Sequence, residues 1–350
     1  MLLRDTPILD PHLHDEATRV ARLLTDFRDP ESLVVALNGP EGVGKTSCAQ
    51  SIIEGLSLNG GCHLLVFNAW LFSRRGSLLE DFTRELMACL KVGNSGVWRS
   101  MMEYAVVLVT KSPRKPGMVW EARARLVNAL GCYGRRTIVF MDDIDRLTAT
   151  EIRDIFWLVK TVGALPTVHY VLVFDREVVV ETLNELFPGR AYAYLASIVD
   201  VAVDIPLPDR DCVWDVLQGL VASSPRGEAW PAAVRELWDA GLYRLVPTMK
   251  HAKLLAVAIR TSRLGADEDL RTVITVESLR VLAQAVFDYV RRNLQAFLGR
   301  SRPEIPYHDL GVRDADIPAV EVLLEAVFPH RLTGGPSPRP EAARKYFCVG

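Results

Sequence analysis

The segment at residues 39–46 constrains this chain more than any other feature, because it reads GPEGVGKT and matches G-x-x-x-x-G-K-[ST] at every fixed position. The residues on either side predict a strand before it and a helix after it. Gly39, Gly42 and Gly44 permit backbone conformations that turn successive N–H groups toward phosphate oxygens at a helix N-terminus. The segment therefore predicts a phosphate-binding loop of the Walker A type.

The side chains of this loop predict a nucleotide site that uses magnesium. Lys45 is expected to reach the β- and γ-phosphates, and the Thr46 hydroxyl to bind Mg²⁺. The alternative is a glycine-rich turn between a strand and a helix, with an idle lysine. The candidate nucleotide-binding residues of the loop are Gly39, Pro40, Glu41, Gly42, Val43, Gly44, Lys45, Thr46 and Ser47.

Apolar runs alternate with amphipathic segments in the first part of the chain. Strands are predicted at residues 33–37, 63–68, 137–141, 169–174 and 199–205. Helices are predicted at residues 12–29, 45–56, 77–90, 119–130, 149–162 and 176–186. This alternation predicts an α/β fold with a doubly wound, mainly parallel sheet and right-handed crossovers.

From Pro208 onward the pattern is helical only. Helices are expected at residues 211–221, 230–242, 248–260, 276–298 and 320–327. The predicted organisation is an NTPase core at 12–208, a helical lid or accessory region at 209–300, and a C-terminal extension of unknown fold at 301–350.

Two carboxylates, Asp142 and Asp143, end the apolar run TIVFM. Parallel strands deliver such residues to the carboxyl edge of the sheet, where open α/β folds bind ligands. Beside a phosphate loop, Asp142 is the candidate that holds magnesium through water. Asp143 is the candidate catalytic residue that polarises the attacking water, and Lys45 is the second catalytic candidate. The alternative is an exposed acidic turn after a core strand.

Two further residues are candidate sensors of the γ-phosphate. Asp175 follows the strand at 169–174, and its alternative role is an ordinary helix N-cap followed by a solvated Arg176. Lys250 opens a later helix, where a solvated charge is the alternative. The aromatic segment FNAWLF at 67–72 could form a nucleotide or partner contact, although core packing beneath the sheet is the preferred interpretation.

Composition and charge exclude several other classes of protein. A formal net charge of −2 and a pI near 6.4 provide no general basic field for a polyanion, so nucleic-acid binding is left open only at a local patch. The six cysteines are scattered without a C-x-x-C pair, which indicates free thiols in a reducing cytoplasm. No signal peptide and no transmembrane segment are expected.

Six segments, in this order, resemble the KAP P-loop NTPases, a branch of the additional-strand class of phosphate-loop proteins. They are GPEGVGKT (39–46), FNAW (67–70), IVFMDDIDRL (138–147), VLVFDREVV (171–179), YLASIVDVAVDIPLP (194–208) and TMKHAKLL (248–255). The resemblance covers roughly residues 15–260, about two thirds of the chain.

The resemblance implies ATP as the nucleotide and a sheet without antiparallel strands, in which the loop strand neighbours the sensor strand. It matches Asp142 to the family's magnesium aspartate and Asp143 to its second acid, and it places Asp145 and Arg146 on the pattern D-D-x-D-R. Many relatives insert membrane-spanning helices between the two nucleotide motifs, but the interval at 93–117 is too short for a pair of them.

The chain also departs from the family pattern at two places. Ala196 and Ser197 stand where members commonly carry a glutamate and a lysine. Lys250 stands where an arginine is common, which keeps the charge but loses the bidentate fork.

Together these features predict a Mg²⁺-dependent ATPase that acts as a conformational switch. The expected partners are ATP and a partner protein or a second copy, which would supply an arginine finger unless Arg146 or Arg176 does so. Bacterial members resemble phage-exclusion and other defence components. The expected location is the cytoplasm, with membrane association through partners as an alternative. The alternative function is a nucleotide-dependent scaffold with little or no turnover, and a kinase is a third possibility.

Overall fold

The computed structural model describes residues 11–27, 32–59, 61–73, 78–90, 99–100, 118–133, 136–162, 164–165, 167–222, 229–262, 270–298, 303–328 and 347. The chain divides into two compact units, residues 1–206 and residues 207–350.

A five-stranded parallel sheet forms the centre of the first unit. Its strands are β1 (Val34–Asn38), β2 (Cys62–Asn68), β3 (Arg136–Asp142), β4 (Val168–Phe174) and β5 (Val201–Asp204). They lie in the order β2-β3-β4-β1-β5, and each neighbouring pair is parallel. The predicted parallel sheet is confirmed, and the loop strand β1 does pair with β4, as the resemblance implied.

Helices cover both faces of this sheet. They are α1 (Pro11–Asp26), α2 (Lys45–Asn59), α3 (Ala69–Phe72), α4 (Leu78–Leu90), α5 (Met118–Tyr133), α6 (Ala149–Trp157), α7 (Arg176–Leu183) and α8 (Ala191–Ile198). A 3₁₀ turn at Ile144–Arg146 follows β3, and a π-helical turn at Leu158–Val162 continues α6. The start of α6 is fixed by a capping box between Thr148 and Glu151.

Alternate residues of each central strand enter two different hydrophobic cores. In β1, Val34 and Ala36 pack with helices α4 to α8, whereas Val35 and Leu37 pack with α1 and α2. Burial on both faces explains why these strands read as continuous apolar runs. Each fully buried valine or leucine contributes roughly 1.5–3 kcal/mol, so the two cores fix the strands firmly beneath the loops at their ends.

The second unit is helical in its described part. It contains α9 (Arg210–Ala222), α10 (Ala229–Ala240), a 3₁₀ turn (Leu242–Leu245), α11 (Met249–Thr261), α12 (Leu270–Leu282), α13 (Gln284–Arg292), α14 (Leu294–Phe297) and α15 (Ile317–Val327). Residues from the predicted C-terminal extension, including Ile305, Val320 and Phe347, share one hydrophobic core with the preceding helices.

The single helix predicted at 276–298 is wrong, because two residues interrupt it. Ala283 has φ −136° and ψ 52°, and Asn293 has φ −109° and ψ 21°. The Asn293 side chain donates to the Tyr289 carbonyl at 2.9 Å. Asparagine thus satisfies a helix-end carbonyl locally, and the chain turns to place the next apolar residues in the core.

No helix among the described residues is long and apolar enough to cross a membrane. The interval at 93–117, which the sequence predicts to be too short for two membrane helices, lies outside the described residues except for residues 99–100.

Candidate functional site

The polar residues that end the strands meet at one edge of the sheet. Parallel pairing sets Asn38 at the end of β1 beside Asp204 at the end of β5. On the other side, Asn68 at the end of β2 lies beside Asp142 at the end of β3. The phosphate loop leaves β1 at this same carboxyl edge, so the topology brings the predicted loop and the predicted acids together.

The glycines of the loop are required by its geometry. Gly42 and Gly44 have φ of 81° and 106°, and a residue with a side chain would be strained in this region of backbone conformation. A Cβ on Gly39 would lie 2.8 Å from Val43 Cγ1, and one on Gly44 would lie 2.9 Å from Leu13 Cδ1. Val43 is buried and anchors the turn in the core. The conformation of the loop therefore requires glycine at positions 39, 42 and 44.

Helix α2 begins at Lys45, directly after the last loop glycine. The first N–H groups of a helix have no carbonyl partner within it, and the helix dipole adds positive potential there. Lys45, Thr46 and Ser47 supply these groups. An anion such as a phosphate is the ligand that this arrangement favours.

The Lys45 side chain folds back over its own loop. Its Nζ donates to the Gly39 carbonyl at 2.7 Å and to the Pro40 carbonyl at 3.3 Å, and it lies 3.7 Å from Asp145 Oδ2. The ammonium group is thus held between carbonyl oxygens and one carboxylate. Because its four-carbon stem is flexible, the charge can move to a phosphate without moving the backbone.

Thr46 and Asp142 are in direct contact. The Thr46 hydroxyl donates to Asp142 Oδ2 at 2.9 Å, and Asp142 Oδ1 accepts the Asp143 N–H at 2.8 Å. Burial raises the pKa of the Asp142 carboxyl, and the charges of Asp143 and Asp145 raise it further, while the two hydrogen bonds oppose the shift. A nearby cation would offset this cost of holding a buried negative charge.

The donor chemistry of this pair fits magnesium. Hydroxyl and carboxylate oxygens are hard ligands, and Mg²⁺ commonly binds proteins through one or two side chains and completes its shell with water and phosphate oxygens. No group of three or more His, Cys, Asp or Glu side chains in the described part of the chain is arranged to hold a metal. Thr46 and Asp142 are two hard oxygen ligands in contact, which fits a magnesium shell completed by water and phosphate oxygens.

Asp143 adopts a left-handed backbone conformation, with φ 60° and ψ 33°, which is uncommon for a residue other than glycine. Both oxygens of its carboxylate have partners. Oδ2 accepts from Asn68 Nδ2 at 2.6 Å, and Oδ1 lies 3.0 Å from Arg146 Nε. The strained backbone and the two donors hold this carboxylate in a defined position beside Asp142.

Asn68 is a site residue that the sequence reasoning missed. Its amide N–H₂ contacts Asp143, while its Oδ1 accepts the Leu71 N–H at 3.1 Å and caps α3. The available signal was an asparagine at the end of a predicted strand. Only the pairing of β2 with β3 shows that this asparagine reaches Asp143.

Asp145 and Asn38 connect the loop to neighbouring strands. Asp145 Oδ2 accepts the Asp175 N–H at 2.8 Å and also faces Lys45. Asn38 donates to Asp204 Oδ1 at 2.6 Å and accepts the Arg176 N–H at 2.7 Å. A displacement of Lys45 or of the loop would therefore reach β4 and α7 through two side chains.

The two candidate sensors have different surroundings. Asp175 is the N-cap of α7, and its carboxylate accepts the Glu177 N–H at 3.0 Å. The Arg176 guanidinium lies 2.7 Å from Asp204. Lys250 is exposed near the start of α11 in the second unit. The N-cap interpretation of Asp175 accounts for its contacts, and the sensor roles of Asp175 and Lys250 remain predictions.

A model of the KAP family P-loop domain matches residues 14–96 and 87–230, which together make up more than half of the chain. The chain belongs to the KAP family of P-loop NTPases. Nucleotide binding is the expectation for this fold. The family motifs lie mainly at the carboxyl edge described above, and both substituted positions of the YLASI segment, Ala196 and Ser197, are exposed on α8.

This KAP-family chain is 30% identical over 243 residues to the phage T7 exclusion protein of Escherichia coli strain K12. The match covers 55% of this chain and 32% of that protein, so the chain spans about a third of its relative's length. Among solved structures, Aeropyrum pernix ORC1 in complex with DNA shows 17% identity and a TM-score of 0.47, with coverage of 99% of this chain and 84% of that chain. A mutant of Thermotoga maritima RuvB shows 15% identity and a TM-score of 0.38, with coverage of 96% and 93%.

Proposed function

We propose that this KAP-family chain binds ATP with Mg²⁺, hydrolyses it, and uses the cycle as a conformational switch. The observation that carries the proposal is the contact between the Thr46 hydroxyl and the Asp142 carboxylate, 2.9 Å apart at the first turn of α2. It joins the phosphate loop to the acidic strand end.

The chain's own groups divide the work of binding. The N–H groups at the start of α2 would bind phosphate oxygens, and Lys45 would exchange its loop carbonyls for the β- and γ-phosphates. Thr46 and Asp142 would hold Mg²⁺, whose charge offsets that of the phosphate oxygens. Movement of Lys45 would release Asp145, which also holds the Asp175 N–H, and so would pass the change to β4 and α7.

Asp143 is the proposed acceptor of a proton from the attacking water. A carboxylate next to the metal-binding acid can accept this proton without binding the metal. Asn68 would orient the Asp143 carboxylate, since the hydrogen bond from Asn68 Nδ2 at 2.6 Å fixes one of its oxygens. Because Arg146 occupies the other oxygen, turnover by the isolated chain is expected to be slow.

Phosphate release from the purified chain with ATP and Mg²⁺ tests the proposal. Lys45→Ala should lose both ATP binding and release, whereas Asp143→Ala should retain binding and lose release. Release that persists unchanged in both variants would contradict both residue assignments and would indicate a contaminating activity.

The alternative function is a scaffold that binds nucleotide with little or no turnover. The observation that favours it is that both oxygens of Asp143 already have donors. A calorimetric titration with ATP, combined with the phosphate-release assay, separates the two functions. Tight, Mg²⁺-dependent ATP binding by the wild type without phosphate release at any protein concentration supports the scaffold. Phosphate release per chain that rises with protein concentration supports an ATPase completed by self-association.

A role in phage exclusion is part of the proposal, motivated by the name of the relative that is 30% identical over the matched 243 residues. A partner protein or a second copy would receive the conformational change. Plaque formation on cells that express the chain tests this role. Exclusion by the wild type but not by Lys45→Ala would support it, and equal plaque numbers with and without the wild-type chain would argue against it.

A further inference from the structure

Arg146 lies between the proposed catalytic carboxylate and an exposed aromatic ring. Its Nε is 3.0 Å from Asp143 Oδ1, and its guanidinium carbon is 5.4 Å from the centre of the Trp70 ring. The Trp70 side chain is 50% exposed although Phe67, three residues earlier in the same aromatic segment, is 1% exposed. Phe67 therefore anchors the segment in the hydrophobic core, whereas core packing does not account for the half-exposed Trp70.

Local structure explains how the three side chains meet. The 3₁₀ turn at Ile144–Arg146 is anchored by the fully buried Ile144, and it returns the Arg146 side chain over Asp143, three residues earlier. Asn68 caps α3 and so places Trp70 in the first turns beyond β2. The same Asn68 side chain holds the other oxygen of Asp143. The tryptophan, the arginine and the carboxylate are thus positioned by two neighbouring strand ends.

The Trp70 ring restricts the conformations of the Arg146 side chain. An exposed ion pair is weak, because its side chains must be ordered in water. A guanidinium over an indole ring is also attracted to the face of the ring, and this contact restricts the conformations that the arginine adopts. Trp70 therefore biases Arg146 toward the conformations in which it contacts Asp143.

We infer that Trp70 and Arg146 form a clasp that restrains the proposed hydrolysis by holding Asp143. Arg146 Nε occupies Asp143 Oδ1 at 3.0 Å, so while this contact is made that oxygen does not accept a hydrogen bond from the attacking water. Trp70 is a positioning residue in this clasp, because it acts on Asp143 only through Arg146. The inference rests on the proposed function, since it assigns a restraint to the same carboxylate.

Replacement of the ring tests the clasp. Trp70→Leu keeps an apolar side chain but removes the π face, and it should raise kcat for phosphate release about fivefold, with the KM for ATP unchanged. Trp70→Phe keeps a ring and should restore most of the restraint. Arg146→Gln should raise kcat at least as much as Trp70→Leu. Trp157→Leu is the matched control, because Trp157 is 48% exposed and is the last residue of α6.

A spectroscopic readout follows the clasp without turnover. In the full chain labelled with ¹⁵N-arginine, the Arg146 Nε–H signal, assigned by its loss in Arg146→Gln, should exchange slowly with water and should shift in Asp143→Ala. Trp70→Leu should broaden it or move it toward the positions of solvated arginines, and Trp70→Phe should leave it close to the wild-type position.

The outcomes separate this inference from the proposed function. An unchanged kcat in Trp70→Leu, or an unchanged Arg146 signal in that variant, overturns the clasp, whether the wild type hydrolyses ATP rapidly or slowly. A fall in kcat in both Trp70→Leu and Arg146→Gln also overturns it and makes Arg146 an activating group. The proposed function fails on a different result, namely ATP binding that does not depend on Lys45.

Discussion

The two edges of the central sheet use polar residues in different ways. At the carboxyl edge, side chains contact one another in addition to backbone groups: Thr46 with Asp142, Asn68 with Asp143, and Lys45 with Asp145. These bonds can exchange partners while the strands stay in place. Of the two described non-glycine residues with positive φ, Asp143 lies at this edge and Thr167 lies at the amino edge, directly before β4.

At the amino edge, side chains bind backbone groups of neighbouring elements. His169 Nδ1 accepts the Leu33 N–H at 3.1 Å, and Asp200 Oδ2 accepts the Val34 N–H at 2.8 Å. Arg136 donates to the Thr25 carbonyl at 2.6 Å at the end of α1. Loss of such a side chain leaves a backbone group without its partner, which costs about 1–3 kcal/mol. The comparison predicts that changes at the carboxyl edge alter activity and that changes at the amino edge alter stability.

Thr46→Val should have the largest effect on activity. It removes the hydroxyl proposed to bind Mg²⁺ while keeping the size and branching of the side chain, and phosphate release should fall roughly 100-fold or more. Thr46→Ser is the control and should retain most of the activity. Equal phosphate release from Thr46→Val and the wild type would remove Thr46 from the site. A large loss of thermal stability in Thr46→Val would show that the carboxyl edge also determines stability.

His169→Gln should have the largest effect on the pH dependence of stability. Burial, with a smaller contribution from Arg136, lowers the pKa of His169 from 6.5 to about 4. Below pH 6.5 the unfolded chain binds a proton at His169, whereas the folded chain does not bind it until about pH 4. The free energy of unfolding therefore falls as the pH drops from 6.5 to about 4, by up to about 3 kcal/mol.

Glutamine at this position keeps an acceptor for the Leu33 N–H but does not titrate. Urea unfolding at about pH 7 and about pH 4.5 should show a smaller loss of free energy for His169→Gln than for the wild type. A loss of equal size in both proteins would show that His169 contributes nothing to acid sensitivity.

Asp200→Ala should reduce the free energy of unfolding by about 1–3 kcal/mol, because the Val34 N–H loses its acceptor. Lys160→Met tests the other bond of this carboxylate, an ion pair of 2.7 Å, and should cost less than about 1 kcal/mol. Both variants should bind ATP like the wild type. A loss of ATP affinity without a loss of stability would contradict the division between the two edges.

Asp142→Asn should have the smallest effect on stability, and in the opposite direction. Because burial raises the pKa of Asp142, the charged carboxylate disfavours the folded chain, and this cost appears as the pH rises through the raised pKa. Without nucleotide, the variant should melt about 1–3 °C higher than the wild type at about pH 7. The gain should shrink as the pH falls toward 3.8, and a lower melting temperature at neutral pH would contradict this account.

The phosphate loop and the acidic strand end could be predicted because the residues that define each of them are consecutive in the sequence. The glycines that the loop requires at positions 39, 42 and 44 stand in the motif itself. The role of Asn68 could not be predicted, because it depends on the pairing of β2 with β3 over a separation of 75 residues. Similarly, the contact of Arg146 with Trp70 requires the turn after β3 and the helix after β2 to lie side by side.

Helix ends were harder to predict than helices. The apolar spacing at 276–298 continues across Ala283 and Asn293, so periodicity alone joins three helices into one. The breaks arise from local backbone conformation and from the side-chain bond of Asn293 to Tyr289. Asp175 shows the opposite case, in which the local N-cap pattern predicted the contact that the structure contains.

The most direct test of the account is the affinity of the chain for ATP, measured by calorimetry with Mg²⁺ and with EDTA, for the wild type and Asp142→Asn. We expect Mg²⁺ to tighten ATP binding to the wild type by at least about tenfold. Asp142→Asn should lose this gain while it binds metal-free ATP at least as well. Equal affinities in Mg²⁺ and EDTA for the wild type, or an unchanged gain in Asp142→Asn, would contradict the assignment of the carboxyl edge as a magnesium–nucleotide site.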